Sequence, residues 1–228
     1  MNKDKKMNKR LIMLGIILVI ICFIGKLIFN IAKNIKVDEF TPAGVVFILD
    51  SSASNQKNLP TQTKYLKQLC SLLDPEDHIK ILKTSENAYL IYEGSPMDTV
   101  SVSKSLEAFT KYDNEEYGTA YGEAIKKAVS HTLNLQKEGY TPAIVIIGDL
   151  ENEGNADKQI NWETLPENIK QAKEYMPELT MMFLFAHPEK LDMVKEKLTP
   201  ILGEKHLIVA TEQVVNKIST KFLTAIGR

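Results

Sequence analysis

The chain has 228 residues and a formal net charge of −1, with 44% hydrophobic and 25% charged residues, values of a folded globular protein rather than a disordered one. That near-neutral total is a cancellation: up to Lys36, eight basic residues (Lys3, Lys5, Lys6, Lys9, Arg10, Lys26, Lys33 and Lys36) face only Asp4, giving +7, while the remaining 192 residues carry −8. An acidic body repels phosphate at range, which argues against nucleic acid as a partner, and its length suits one domain with a sizeable core rather than two.

Residues 1–10 form a basic N-terminal segment. From Leu11 to Ala32 the chain is apolar apart from Lys26 and Asn30, and as a helix of roughly 1.5 Å per residue these 22 positions reach about 33 Å, enough for a bilayer core. Lys26 lies near one end, where its long stem lets the ammonium reach the headgroups. No Ala-x-Ala cleavage pattern follows the span, and the large Ile21 precedes Cys22 where a lipoprotein anchor needs a small residue. The segment therefore reads as an uncleaved signal-anchor, a single transmembrane helix over 11–32. Five Lys/Arg precede it and only Lys33 and Lys36 follow closely, so the N-terminus is expected in the cytoplasm and the body across the membrane, which is expected to be a bacterial cell membrane. Residues 33–42 form a juxtamembrane linker, and 43–228 one domain. That domain holds a single cysteine, Cys70, so it has no internal disulfide and no Cys/His cluster for zinc.

The body alternates strand and helix patterns. GVVFIL (44–49) is a continuous β-branched and apolar run, the signature of a strand buried on both faces. Tyr65, Leu66, Leu69, Cys70, Leu72 and Leu73 give a helical stripe over 60–73. The stretches 78–85 and 87–94 are too close for a crossover and predict an antiparallel pair. Helices are predicted over 102–110 and 120–136, separated by a polar loop, and a second two-sided strand over 143–148. A long polar loop then leads to a helix (165–175), a strand (180–186), a helix (189–198), a strand (206–210) and a helix (212–226). The pattern predicts an α/β fold: a doubly wound, mainly parallel sheet with one antiparallel edge strand and helices on both faces. In such folds ligands sit beyond the carboxyl ends of the strands, near the switch in strand order.

At those ends the sequence places three oxygen-rich spots. The first strand runs into Asp50-Ser51-Ser52-Ala53-Ser54, Gly118-Thr119 opens the helix of GTAYGEAI, and Asp149 follows the buried strand AIVIIG. By motif, order and spacing, together with the LLDPEDHIKIL passage, the body from about Gly44 to Leu223 resembles the von Willebrand factor type A family with its metal-ion-dependent adhesion site. The resemblance implies that Ser52, Ser54 and Thr119 supply hydroxyl ligands to one Mg²⁺ or Mn²⁺ ion. Asp50 and Asp149 would bind it directly or through water and orient the hydroxyls. Hard oxygen donors suit these ions. Neutral hydroxyls leave much of the ionic charge uncancelled, so an open position is expected to take a carboxylate from a protein partner. Many relatives have Gly after the second acid, whereas here Leu150 follows Asp149. The acidic run Glu151, Glu153 and Asp157 reads as a solvated loop. It is not a calcium EF-hand, because Ile160 stands where a bidentate Glu is required.

No phosphate loop, HExxH or GxSxG motif occurs, and Ser52 occupies the place of the second Asp of haloacid-dehalogenase-like phosphatases, so no enzymatic activity is expected. The leading expectation is a membrane-anchored, metal-dependent protein-binding or adhesion module. Its rivals are an assembly subunit in which the metal only stabilises the fold and, behind that, a metal-dependent phosphatase.

Overall fold

A computed structural model describes Lys26 and residues 41–109, 118–211 and 215–228. The chain divides into two units, Met1–Phe40 and Thr41–Arg228. The basic segment and the expected membrane span, apart from Lys26, and the linker up to Phe40 lie outside the described residues. Among the described residues no helix is long and apolar enough to cross a membrane.

The second unit is built on a six-stranded sheet ordered β3-β2-β1-β4-β5-β6. Its strands are β1 (Ala43–Asp50), β2 (His78–Thr84), β3 (Ala88–Gly94), β4 (Thr141–Ile147), β5 (Thr180–Leu184) and β6 (Leu207–Ala210). All pairings are parallel except that of β3 with β2, so β3 is the antiparallel edge read from the sequence. The order reverses between β1 and β4, and the crevice beyond their carboxyl ends is the switch point of the fold.

Among the described residues six helices cover the sheet: α1 (Leu59–Cys70), α2 (Thr99–Phe109), α3 (Tyr121–Lys137), α4 (Leu165–Tyr175), α5 (Pro188–His206) and α6 (Val215–Ala225). α1, α4 and α5 each open on a proline in the first turn, where its missing N–H leaves no hydrogen bond unmade. Alternation along β1 sends Val45, Phe47 and Leu49 into a core shared with α1, α2 and α6. Val46 and Ile48 enter a second core with α3, α4 and α5. Every residue of β1 is buried, which is why its sequence is an unbroken apolar run rather than an alternating one.

Several boundaries differ from the sequence reading, and two of the differences have a plain physical cause. The strand expected over 180–186 stops at Leu184, because Phe185 takes a left-handed backbone (φ 68°) that no strand continues. The helix expected to end at residue 198 carries through Pro200 to His206, with its break at Gly203 (φ 75°, ψ 164°). Leu198 and Leu202 on that helix are both buried in the second core, and this packing outweighs the helix-breaking tendency of Pro200. Cys70, Met181 and Met182 are core residues, as expected.

Candidate metal centre

β1 delivers Asp50, fully buried, to the switch point. Both of its carboxylate oxygens are engaged. Oδ1 accepts the backbone N–H of Ser52 at 2.8 Å, and Oδ2 accepts the hydroxyl of Tyr121 at 2.8 Å. The loop that follows is held from beneath: Asn55 donates to the Asp50 carbonyl at 2.9 Å and exchanges two hydrogen bonds, of 2.6 and 2.8 Å, with Gln62 of α1. A loop so tied turns alternate side chains to one side. Ser52 Oγ and Ser54 Oγ lie 3.1 Å apart, and Ser54 Oγ donates across to Asp149 Oδ2 at 3.2 Å. Asp149 lies two residues beyond β4, and its Oδ1 accepts the Glu151 N–H at 2.8 Å.

Asp50, Ser52, Ser54 and Asp149 thus form one linked cluster, its Ser54–Asp149 bond crossing 95 positions of sequence. Asp50 and Ser52 are buried while Ala53 and Ser54 are exposed, so the cluster opens outward at Ser54. Thr119 reaches the same end of the sheet at the start of α3. Its N–H donates to the Glu153 carbonyl at 3.0 Å, and the next residue, Ala120, donates to the Ser85 carbonyl at 2.7 Å. Its hydroxyl is buried and has no hydrogen-bond partner.

The electrostatics of the cluster are set by two neighbouring acids. Burial, and then the neighbouring Asp149 carboxylate, push Asp50 up to about 7, although the Ser52 and Tyr121 hydrogen bonds pull the other way. Burial and the same two acids hold the Tyr121 phenol well above its ordinary value, so it remains a donor. Two carboxylates and three hydroxyls offer only hard oxygen donors, which fits magnesium or manganese. Among the described residues no group of three or more His, Cys, Asp or Glu is placed to hold an ion. The buried Thr119 hydroxyl has lone pairs available to such an ion. A cavity of about 400 Å³ between α3 and α4, lined in part by Val129, Asn161 and Asn168, contains none of the five residues.

Sequence reasoning missed Tyr121, Gly148, Asn55 and Gln62. Tyr121 lies two residues after Thr119, but nothing in the spacing shows that its hydroxyl spans to β1. In the acidic run Glu151 pairs with Lys190 at 3.3 Å, and Asn152 exchanges two hydrogen bonds with the backbone of Ile160, each of 3.1 Å. The Ala156–Lys158 stretch is a short 3₁₀ turn, and Ile160 is buried.

Residues 45–152 match the profile of the von Willebrand factor type A domain. Over that stretch the chain is similar to such a domain. Solved structures with the same fold include BatB from Bacteroides thetaiotaomicron, at 17% identity and a TM-score of 0.58, covering 80% of this chain and 98% of that one. An aerotolerance-related membrane protein from Bacteroides fragilis aligns at 18% identity and a TM-score of 0.55, covering 81% and 98%. A von Willebrand factor type A protein from Catenulispora acidiphila aligns at 12% identity and a TM-score of 0.57, covering 81% of this chain and 42% of that one. No curated protein matches the chain. Domains of this family serve in general as interaction modules. The present one departs from many relatives at Leu150, and the backbone shows what the departure involves: Leu150 adopts φ 61°, a left-handed conformation that glycine takes without steric cost. The leucine side chain is almost wholly buried in the second core, and that burial offsets the strain.

Proposed function

We propose that this von Willebrand factor type A domain binds one Mg²⁺ or Mn²⁺ ion through Asp50, Ser52, Ser54, Thr119 and Asp149, and offers the ion's remaining position to a carboxylate of a protein partner. The observation that carries this reading is the hydrogen-bonded cluster Asp50–Ser52–Ser54–Asp149 at the switch point. It joins Asp149 to Asp50, whose burial leaves its negative charge poorly solvated, with the buried, unpartnered hydroxyl of Thr119 at the same end of the sheet. The ion supplies a positive centre that draws a partner carboxylate to an otherwise acidic body. The five side chains hold it, and Ser54 marks the exposed side from which a partner enters. The module is presented from a membrane by the signal-anchor at 11–32, a reading supported by the apolar run in the sequence and by fold relatives that include a membrane protein.

Mass action gives the test. An ion at about 100 times its dissociation constant stabilises the folded state by about 2.7 kcal/mol, and at this size each kcal/mol moves the melting temperature by about 2–4 °C. Mg²⁺ or Mn²⁺ should raise the melting temperature of wild type by about 5–10 °C and leave Asp50→Ala unmoved. An identical response of the two proteins would refute the site.

A further inference from the structure

A single hydroxyl joins the three segments that carry the candidate ligands. Tyr121 donates to Asp50 Oδ2 at 2.8 Å and accepts the backbone N–H of Leu150 at 3.3 Å. It lies two residues after Thr119, Asp50 lies two before Ser52, and Leu150 is the neighbour of Asp149. The surroundings are shaped to admit this hydroxyl. A Cβ at Gly148 would lie 1.9 Å from the Tyr121 oxygen and 2.5 Å from Asp50 Cβ, so any larger residue there displaces the contact. Leu150 holds its N–H toward the phenol from a left-handed backbone. The ring itself is fully buried, at 0% exposure. The first strand, the start of α3 and the loop after β4 are therefore fixed to one point.

We propose that Tyr121 is the residue that sets the choice of cation, by preventing the three ligand-bearing segments from spreading. The inference rests on the metal reading above. Mg²⁺ needs a compact octahedral shell at about 2.0–2.1 Å, whereas Ca²⁺ takes 6–8 oxygens at about 2.3–2.6 Å and tolerates irregular geometry. A tie between segments favours the smaller shell, and its loss penalises Mg²⁺ while leaving Ca²⁺ free to adjust its coordination. Tyr121 acts here as a positioning residue, through Asp50 and Leu150 rather than on the ion.

The test uses the full chain in detergent micelles. Mn²⁺ is titrated with free ion counted by electron paramagnetic resonance, and Mg²⁺ and Ca²⁺ affinities follow from displacement of Mn²⁺. Tyr121→Phe removes only the hydroxyl. It should weaken Mg²⁺ binding by about 10-fold or more, the scale on which outer-shell partners of metal ligands act, and Ca²⁺ binding by much less, so that the Mg²⁺/Ca²⁺ ratio falls. Ser54→Ala, which removes a proposed ligand of either ion, gives the comparison in which both affinities fall together. Circular dichroism of the ion-free chain shows whether Tyr121→Phe is folded, and if it is not, Tyr121→Leu is read by the same ratio. An unchanged Mg²⁺/Ca²⁺ ratio in a variant without the hydroxyl overturns this inference and leaves the metal site standing. Failure of wild type to take up Mn²⁺ overturns both.

Discussion

Asp50 sits where opposing effects meet. Burial and the Asp149 charge favour its protonated form, and the hydrogen bonds from Ser52 and Tyr121 favour the ionised one. The net result is a folded-state value of about 7 against an ordinary 3.8. Its sign is definite: a raised folded value means the ion-free domain holds this proton more tightly than the unfolded chain does. This contribution to stability is present at low pH and is lost as pH rises from about 4 through about 7. A cation requires the ionised form, so metal binding and proton release are linked. The melting-temperature gain produced by Mg²⁺ should be small at pH 5, grow through pH 6 to 7 and level off by pH 8. A gain that is constant from pH 5 to 8 would separate Asp50 from the ion. Asp50, Ser52, Ser54, Thr119 and Asp149 were all legible in the sequence, because each lies at the end of a strand or the start of a helix that the apolar pattern locates. Tyr121 and Gly148 were not, because their roles arise from a reach between α3, β1 and the loop after β4 that no local pattern encodes.

At the scale of elements, the opposite end of the sheet is closed by the segment that follows α6. Arg228 is nearly buried, with 9% of its side chain exposed. Its guanidinium pairs with the wholly buried Asp77 and lies 3.3 Å from Asp74. Asp77 also accepts the N–H of Ala43 at 2.6 Å and that of Asp74 at 2.7 Å. One carboxylate therefore joins the start of β1, the turn before β2 and the end of the last helix. Removing one partner of a buried ion pair strands the other charge, at a cost of about 3–5 kcal/mol. Arg228→Ala should lower stability by about 3 kcal/mol in urea titration. Adding Asp77→Asn should cost less than the sum of the two single changes, because the stranded charge is gone; strict additivity would show that the pair is not coupled. Most elements were legible from periodicity, α4 to the residue. Two misjudged ends show what local signals omit: α5 passes through Pro200 because Leu198 and Leu202 are buried on the sheet, and β5 stops early at the left-handed Phe185.

For the whole molecule, the +7 head and the −8 body make separate demands. On the proposed signal-anchor reading, the basic segment before the apolar run would keep the N-terminus on the cytoplasmic side, and the body would face outward. The full-length protein is expected in the membrane fraction after alkaline carbonate extraction, with the body degraded by protease added to spheroplasts; a body protected from that protease would reverse the orientation. The central strand of the fold gains a further meaning from its two ends. β1 begins at Ala43, where the chain arrives from its N-terminal unit, and ends at Asp50, about 23 Å away at roughly 3.3 Å per residue. It is paired in parallel on both sides, with β2 from Gly44 to Asp50 and with β4 from Ala43 to Leu49. A pull applied between those ends runs along the strand axis. It loads both ladders in shear, so that many hydrogen bonds must yield together rather than one after another, and β1 acts as the tension rod of the domain.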